Sequence, residues 1–241
     1  MTDEPKKTYW VTGALGDIGG AICEAARAAG HGVFATDIRT GSLGDLPVST
    51  CDVTRERDIE DALGRCLAEH GRLDVLVNSA AVIDRLKINE ITDQSWDRTL
   101  AVNVRGPFLC SRIASNHWIS EKRPGAIVNI GSTGSVVSQP DILAYAVSKG
   151  AVRSLTYSLA VALGPSGIRV NLVEPGTIES SLSRERFARP GVRESVEART
   201  PLRRLGIPSE VAPAVLFLGS EGAAYINGSI LQIHGGRLVA A

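Results

Sequence analysis

The sequence predicts an α/β fold, a single domain built on a doubly wound parallel sheet. Short β-rich runs alternate with helical patterns along the chain, as in parallel sheets wrapped by helices. The first of these runs leads directly into a glycine-rich turn and a helix. With 241 residues, 44% of them hydrophobic, the chain is long enough for one large core. No repeat or low-complexity linker divides it, so residues 1–241 are predicted to form one domain.

The overall charge argues against two classes of partner. The chain has 26 basic and 26 acidic residues, so neither nucleic acid nor a membrane surface is expected as a partner. No apolar stretch approaches the roughly 18 residues of a spanning helix, and the N-terminal residues do not resemble a signal peptide. Four cysteines lack metal or redox spacing, which predicts reduced, buried thiols, no metal site and a cytoplasmic protein. They are Cys23, Cys51, Cys66 and Cys110.

The turn after the first strand is a candidate dinucleotide site. Residues 8–11 are typical of a strand, and a helix with small inward residues follows the turn and ends at Gly30. Glycines in such a turn let backbone N–H groups approach a pyrophosphate, and the helix N-terminus provides a favourable dipole. A tight turn without a ligand is the alternative. The turn residues predicted to bind the cofactor are Gly13, Leu15, Gly16, Asp17, Ile18 and Gly19.

The second strand ends in an acid that bears on the choice of cofactor. Residues 33–36 lead into Asp37, where a carboxylate accepts hydrogen bonds from an adenosine ribose diol and repels a 2′-phosphate. NAD is therefore favoured over NADP. Arg39 keeps NADP open, because an arginine at this place is able to pair with such a phosphate.

The third strand and the helix after it supply further candidates. The connection over residues 38–50 leaves room for a helix of one or two turns at most, and residues 48–53 predict a strand that ends in Asp52. That carboxylate either accepts the adenine amino group or caps the strand end, and Val53 is expected beside it at the cofactor. The following helix has its last turn near His70, which is predicted to lie on the surface.

Small residues follow the fourth strand. Residues 73–78 predict this strand, which ends in Asn78 and leads to Ala80, where backbone either lies against a ligand or simply packs closely. A long helical pattern over residues 96–119 contains Asn103. Asparagine favours caps and turns over helix interiors, so a kink, a bound water or a solvent-facing side chain would explain it.

The fifth strand leads to a potential proton-transfer site. Residues 126–130 predict the strand, and Ser132 follows it. Tyr145 and Lys149 are four residues apart, so on a helix they share one face. A phenol has a pKa of about 10, and a nearby ammonium lowers it. On its own such a pair is commonly a solvated surface pair, so the rest of the chain decides its meaning.

Taken together, these motifs resemble those of single-domain short-chain dehydrogenases/reductases over nearly the full length of the chain. The motifs are Thr12-Gly13…Gly19, Asp52-Val53, Asn78 to Ala81, Asn103, Ser132, Tyr145-x-x-x-Lys149 and Pro175-Gly176-Thr177-Ile178. The resemblance implies a Rossmann-like fold, an NAD(P) cofactor and a homotetramer built through the long helices and the last strand.

The resemblance also implies roles for individual residues. Tyr145 would be the general acid/base, and Lys149 would bind the nicotinamide ribose and lower the pKa of the tyrosine. Ser132 would orient the substrate oxygen, and Asn103 would hold a water in a proton relay. The segment expected along the nicotinamide comprises Pro175, Gly176 and Ile178.

Three positions depart from the family pattern. Asp17 occupies the place of the usual middle glycine, Ala81 that of a glycine, and His234 that of an aspartate. A carboxylate near a pyrophosphate is repulsive unless it turns outward or caps the helix. We expect Asp17 to turn outward.

The segment over residues 179–205 is highly charged. By resemblance it is a mobile substrate lid, although such a charge run is also typical of a solvated helix face. Pro213 lies early in the last helix and is expected in its first turn. Residues 230–233 predict the closing strand.

The sequence therefore predicts an NAD(H)-dependent oxidoreductase that interconverts a secondary alcohol and a ketone on a small polar metabolite. Asp37 and the polar residues Gln139, Asp141 and Glu179 support this reading. A 3-oxoacyl thioester reductase that uses NADPH is one alternative, and a cyclic dihydrodiol dehydrogenase is another. A non-enzymatic nucleotide-binding protein would be marked by loss of Tyr145 or Lys149, and both are present.

Overall fold

The computed structural model describes residues 6–181, 183 and 187–240. In this part of the chain, eight strands form one sheet with the order β3-β4-β2-β1-β5-β6-β7-β8. The strands are Thr8–Thr12 (β1), Gly32–Asp37 (β2), Gly41–Leu43 (β3), Leu46–Thr50 (β4), Val75–Asn78 (β5), Gly125–Ile130 (β6), Ile168–Pro175 (β7) and Ile230–Ile233 (β8). The β3–β4 pair is antiparallel and the other pairs are parallel. The predicted doubly wound sheet is confirmed.

Helices cover both faces of this sheet. They are Asp17–Ala28 (α1), Glu56–His70 (α2), Asp93–Leu100 (α3), Gly106–Ser120 (α4), Leu143–Leu163 (α5), Val192–Ala198 (α6) and Ala212–Gly219 (α7). Pro213 lies in the first turn of α7, as predicted. Within the described ranges, each helix is too short or too polar to cross a membrane.

Two hydrophobic clusters lie between the sheet and its helices, one on each face, and contain side chains of both. Alternate residues of a strand point to opposite faces, and β1 shows this directly: Tyr9 and Val11 pack with α1 and α7, whereas Trp10 packs with α2 and α4. All five residues of β1 are buried, as expected for a central strand covered on both sides. β1 and β5 are neighbours, so the chain changes its direction of winding between them, and ligands bind at such a point.

The connection between β2 and β4 contains a strand rather than a helix. Residues 41–43 pair with residues 46–48 as a tight hairpin, and Gly44 adopts the left-handed conformation that this turn requires (φ +60°). The predicted third strand was also too long, because β4 ends at Thr50. Asp52 therefore lies in the loop beyond the strand.

Two side-chain predictions have opposite outcomes. His70 is not a surface residue, since its ring packs edge-on against Phe34 with 6.5 Å between the ring centroids. The four cysteines are buried and free, as predicted. Burial raises the pKa of the Cys23 thiol to about 12, so this group is an inert thiol rather than a thiolate.

Candidate active site

One cavity of about 840 Å³ runs along the carboxyl ends of the strands. Residues that end or follow β1, β2, β5, β6 and β7 line it. Of the residues predicted to bind cofactor or substrate, Asn78 and Asn103 do not line it; the others do. Residues far apart in sequence are thus brought to the edge of the sheet where ligands of doubly wound folds bind.

The glycine-rich turn fits a pyrophosphate. Gly13 has a φ of +67°, and a Cβ there would lie 2.6 Å from the Cα of Ala80. A Cβ at Gly19 would lie 2.3 Å from the carbonyl oxygen of Gly13. Helix α1 then begins without a side-chain cap, and its first-turn residue Ile18 lines the cavity. The first N–H groups of a helix lack intrahelical acceptors and favour an anion.

Asp17 does not turn away from the cavity, in contrast to the expectation. It lies in the first turn of α1 and lines the cavity. Its Oδ2 accepts hydrogen bonds from the backbone N–H of Ser181 at 2.9 Å and from the Ser181 hydroxyl at 2.5 Å. The carboxylate therefore joins the glycine-rich turn to the segment after Ile178.

Asp37 is buried at the tip of β2 and already has protein donors. Its Oδ2 accepts from the backbone N–H of Leu15 at 3.1 Å, so it holds the glycine-rich turn in place. Its Oδ1 accepts from both the backbone N–H and the Nε of Arg39, each at 3.1 Å. Arg39 is thus held on the carboxylate while most of its side chain is exposed.

Two other residues predicted to bind the cofactor have side chains that make hydrogen bonds within the protein. Asp52 lines the cavity, but its Oδ1 accepts from the backbone N–H and the hydroxyl of Thr54, as in a loop cap. Asn78 points into the interior, where its Nδ2 donates to Asn129 Oδ1 at 2.8 Å and Ser111 Oγ at 3.1 Å. The prediction that Asn78 lines the cofactor site is wrong for its side chain, because this position of β5 faces α4.

Ser132 and Tyr145 lie together on the cavity wall. The Ser132 Oγ accepts from the backbone N–H of Gly134 at 3.0 Å and shares a hydrogen bond with Tyr145. Desolvation raises the pKa of Tyr145 above that of a free phenol, although the bond to Ser132 and the charge of Arg85 act in the opposite direction. Burial therefore favours the neutral phenol over the phenolate.

Lys149 lies one helical turn from Tyr145, as predicted. Its Nζ is 5.6 Å from the centroid of the tyrosine ring and donates to the Ile130 carbonyl at 2.8 Å. The residue is 3% exposed, and desolvation lowers the pKa of its ammonium to about 8. The charge of Arg85 also favours the Tyr145 phenolate.

Asn103 lies behind the cavity wall in a π-helical turn. The turn spans Ala101–Arg105 and separates α3 from α4, and the fully buried Asn103 excludes the solvent-facing alternative. The Asn103 amide accepts from the N–H of Val82 and donates to its carbonyl, both at 2.8 Å. It also donates to the Ser148 hydroxyl at 3.0 Å. Asn103 is thus a positioning residue that ties the Val82 loop to α5.

A buried acid that sequence reasoning missed supports the Ser132 turn. Glu174 is fully buried in β7 and accepts two hydrogen bonds from the Arg153 guanidinium, each at 3.1 Å. Ser135, three residues after Ser132, donates to Glu174 Oε1 at 3.2 Å. The only signal in the sequence is its place directly before Pro175.

Three arginines that were not predicted as individual site residues line the cavity. They are Arg85, Arg199 and Arg237, of which only Arg199 belongs to the predicted lid segment. Arg85 forms an ion pair with Asp141 at 3.1 Å. Charge alone does not distinguish these residues from the chain's many surface arginines. The one local signal is the position of Arg237, directly after the Gly235-Gly236 pair.

Comparison with known proteins agrees with this geometry. A family model described as enoyl-(acyl carrier protein) reductase matches residues 13–237. The 2-(R)-hydroxypropyl-CoM dehydrogenase of Xanthobacter autotrophicus is 37% identical over 93% of this chain and 96% of its own. The D-threitol dehydrogenase of Mycolicibacterium smegmatis is 34% identical over 97% and 93% of the two chains. The crystal structure of a gluconate 5-dehydrogenase from Burkholderia cenocepacia, in complex with NADP and tartrate, superposes with a TM-score of 0.91 at 26% identity and covers 99% of this chain and 98% of its own.

The fold, the cavity and these matches define an NAD(P)-dependent oxidoreductase that acts on alcohols and ketones. The chain belongs to the short-chain dehydrogenase/reductase family, as the motifs from Thr12 to Ile178 indicate. The predicted family, fold class and cofactor class are confirmed.

Proposed function

We propose that the protein interconverts a secondary alcohol and a ketone on a small polar metabolite, with NAD(H) as cofactor and Tyr145 as the general acid/base. The observation that carries the proposal is the placement of Tyr145, Ser132 and Lys149 in one cavity wall, with the glycine-rich turn in the same cavity. A general base has to lie within hydrogen-bond reach of the substrate proton, and this wall is open to a ligand.

The residues divide the chemistry as follows. Bound NAD⁺ supplies the hydride acceptor for alcohol oxidation. The Ser132 hydroxyl orients the substrate oxygen, and the Tyr145 phenolate takes the hydroxyl proton. Formation of the phenolate has to overcome the raised pKa of Tyr145, and Arg85, a charged Lys149 and the positive nicotinamide ring all favour it. In reduction the phenol returns the proton.

Four parts of the cavity wall would hold the cofactor. The N–H groups at the start of α1 would bind the pyrophosphate, and Asp37 would accept from the adenosine ribose. The Lys149 ammonium, one turn from Tyr145, would bind the nicotinamide ribose, and residues 175–178 would lie beside the nicotinamide. The buried acid at the tip of β2 supports NAD rather than NADP, because a 2′-phosphate would meet its charge.

The two relatives are named for alcohols that carry more than the reacting hydroxyl, namely the polyol threitol and a hydroxypropyl group attached to CoM. These names support an alcohol with polar substituents. A 3-oxoacyl thioester reductase is the second candidate, and the description of the matching family model shares with it only an acyl-carrier substrate. It would use NADPH, and Asp37 argues against that cofactor.

Assembly as a homotetramer and a cytoplasmic location complete the proposal. Apolar residues are exposed on one side of α5, namely Val147, Tyr157 and Val161, and Phe108 is exposed on α4. Contiguous exposed apolar surface on helices is typical of a contact between subunits. The four free, buried thiols suit a reducing compartment.

Calorimetric titration of the purified protein with NADH and with NADPH tests the cofactor, and Tyr145→Phe tests the mechanism. The variant should lose at least about 10²-fold in kcat, as expected for loss of a proton-transfer group, while the Kd for NADH stays within a few-fold. Tyr225→Phe, at a fully exposed tyrosine outside the cavity, is the matched control. Retained turnover in Tyr145→Phe would remove this residue from the mechanism.

A further inference from the structure

Two arginines meet at one end of the cavity. Arg199 follows helix α6, and Arg237 lies just beyond β8. Their segments pack closely, because a Cβ at Gly235 would lie 2.9 Å from Thr200 and the N–H of Leu202 donates to the Gly235 carbonyl at 3.2 Å. This packing brings Arg199 and Arg237 into the same wall, where both line the cavity.

The wall that holds Arg199 and Arg237 adjoins residues 175–178, the segment expected along the nicotinamide. β8 lies beside β7 at the edge of the sheet, and the N–H of Gly176 donates to the Ile233 carbonyl at 2.7 Å. The arginine segment is therefore attached to the strand end that leads into residues 175–178. Three acidic residues line the cavity: Asp37 ends β2 and Asp52 follows β4, on the far side of the sheet from β8, and Asp17 is bound to Ser181.

Neither arginine has a carboxylate partner within the described residues. Arg199 donates to the Ser195 carbonyl at 3.0 Å and to the Ser195 hydroxyl at 3.2 Å. The half-buried Arg237 side chain makes no hydrogen bond or ion pair with the described part of the chain. By contrast, the neighbouring arginines Arg193 and Arg204 both bind glutamates.

The two charges also oppose one another. Desolvation and the charge of Arg199 lower the pKa of Arg237. Two guanidinium groups that line the same cavity repel one another, and each keeps N–H donors for an anion. Guanidinium binds carboxylate, sulfonate and phosphate in a bidentate geometry. An anion here would relieve the repulsion.

We propose that Arg199 and Arg237 form an anion subsite for the substrate, so that the natural substrate is a secondary alcohol or ketone that carries a carboxylate, sulfonate or phosphate group. The reacting carbon lies at Tyr145 and the anionic group at the arginine pair. This inference rests on the proposed function and adds the substrate class to it.

The test compares matched probes on wild-type protein and on Arg237→Met and Arg199→Met. Methionine keeps an apolar stem and removes the charge. The probes are 3-hydroxybutyrate with its methyl ester, and glycerol 3-phosphate with glycerol. Arg189→Met is the matched control, an exposed arginine of the same segment that does not line the cavity. Calorimetric titration of the NADH-loaded protein with each anion measures binding without turnover, since NADH does not reduce an alcohol.

We expect wild type to favour at least one anionic probe over its neutral partner. In either arginine variant the ratio of kcat/KM for that pair, or the affinity of the anion, should fall by at least about tenfold, as for loss of a charge-assisted hydrogen bond. Arg189→Met should keep the wild-type ratio. Preference for the hydroxy acid would identify a carboxylate substrate, and preference for glycerol 3-phosphate a phosphate substrate.

Different results would overturn the two proposals separately. If neither anion binds, or if the ratios and affinities are unchanged in both variants, the anion subsite is wrong while turnover of the neutral alcohols keeps the proposed function. If the anions bind through the arginines but no alcohol is oxidised, the subsite stands and the proposed function fails. Weakened NADH binding in both variants would instead assign the pair to the cofactor.

Discussion

The Asp37 carboxylate holds both the glycine-rich turn and Arg39. It accepts from Leu15 in the glycine-rich turn and from Arg39. We predict that Asp37→Ala shifts the ratio of the Kd values for NADH and NADPH by at least about tenfold toward NADPH, because the acid no longer repels a 2′-phosphate and Arg39 is released to pair with it. Calorimetry on both cofactors measures this ratio.

The ratio is the informative quantity, since loss of the Leu15 contact weakens both cofactors alike. In Asp37→Ala/Arg39→Ala the gain toward NADPH should disappear, because the released arginine is absent. Arg39→Ala alone should keep the preference for NADH. An unchanged ratio in Asp37→Ala would mean that the ribose is bound elsewhere.

Lys149 makes the stability of the protein depend on pH in a defined direction. Its folded pKa is about 8, lowered from 10.5 by desolvation. Between these values the unfolded chain binds a proton that the folded chain lacks, so the free energy of unfolding rises with pH, by about 1.4 kcal/mol per unit. We predict that wild type gains stability relative to Lys149→Met as the pH rises from about 8 to 9.5, measured by urea unfolding.

Below pH 8 the lysine is charged in both the folded and the unfolded chain, so the difference in free energy of unfolding between wild type and Lys149→Met should become constant. Lys87→Met, at an exposed lysine, is the control and should show no such slope. If the free energies of unfolding of wild type and Lys149→Met differ by the same amount at every pH up to 9.5, Lys149 keeps an ordinary pKa in the folded protein.

At the level of elements, the π-helical turn between α3 and α4 holds one wall of the site. Asn103 satisfies both backbone groups of Val82 and binds Ser148. We predict that Asn103→Ala lowers the free energy of unfolding by about 1–3 kcal/mol, because two partly buried backbone groups of Val82 lose their partners. The kcat should fall as well, because Val82 and α5 lose their link.

Ser148→Ala is the comparison, since it leaves Val82 paired and removes the bond from Asn103 together with the bond that the Ser148 hydroxyl donates to the Tyr145 carbonyl. Its loss of free energy of unfolding should be smaller than that of Asn103→Ala. Equal losses in the two variants, measured by urea unfolding, would show that the contacts to Val82 contribute nothing.

The predictable elements are those with strong local patterns. Strand β1 and the helix that carries Tyr145 and Lys149 follow from apolar runs and four-residue spacing. The hairpin strand Gly41–Leu43 does not, because three residues with one apolar side chain carry no periodic signal.

Within the site, spacing identified residues but not the direction of their side chains. Asn78 belongs to a strand, where the two faces are equivalent in sequence, and its side chain turned out to face the interior. The Asp17–Ser181 bond joins residues 164 positions apart, and Arg199 meets Arg237 through packing at Gly235. Such contacts depend on the tertiary fold, which local patterns do not encode.

At the scale of the whole molecule, α5 connects the active site to a surface. One side of this helix is buried and carries Lys149, whereas the other exposes an apolar stripe. Tyr157 and Val161 lie one turn apart on this side, Val147 lies ten residues before Tyr157, and Val161 is 80% exposed. In a two-fold contact between copies, the stripe of each copy would be buried against the other copy.

We therefore predict that the wild-type protein sediments as a tetramer and that Val161→Glu produces a smaller species, since each two-fold contact would bury two added carboxylates without partners. Ile88→Glu, at an equally exposed apolar residue outside the stripe, should leave the assembly unchanged. Because α5 also holds Tyr145, the smaller species should have a lower kcat and a lower Tm than the tetramer. A wild-type monomer in sedimentation velocity, or a Val161→Glu protein of wild-type size, would show that this face of α5 is not an interface, and the exposed stripe would then be ordinary surface.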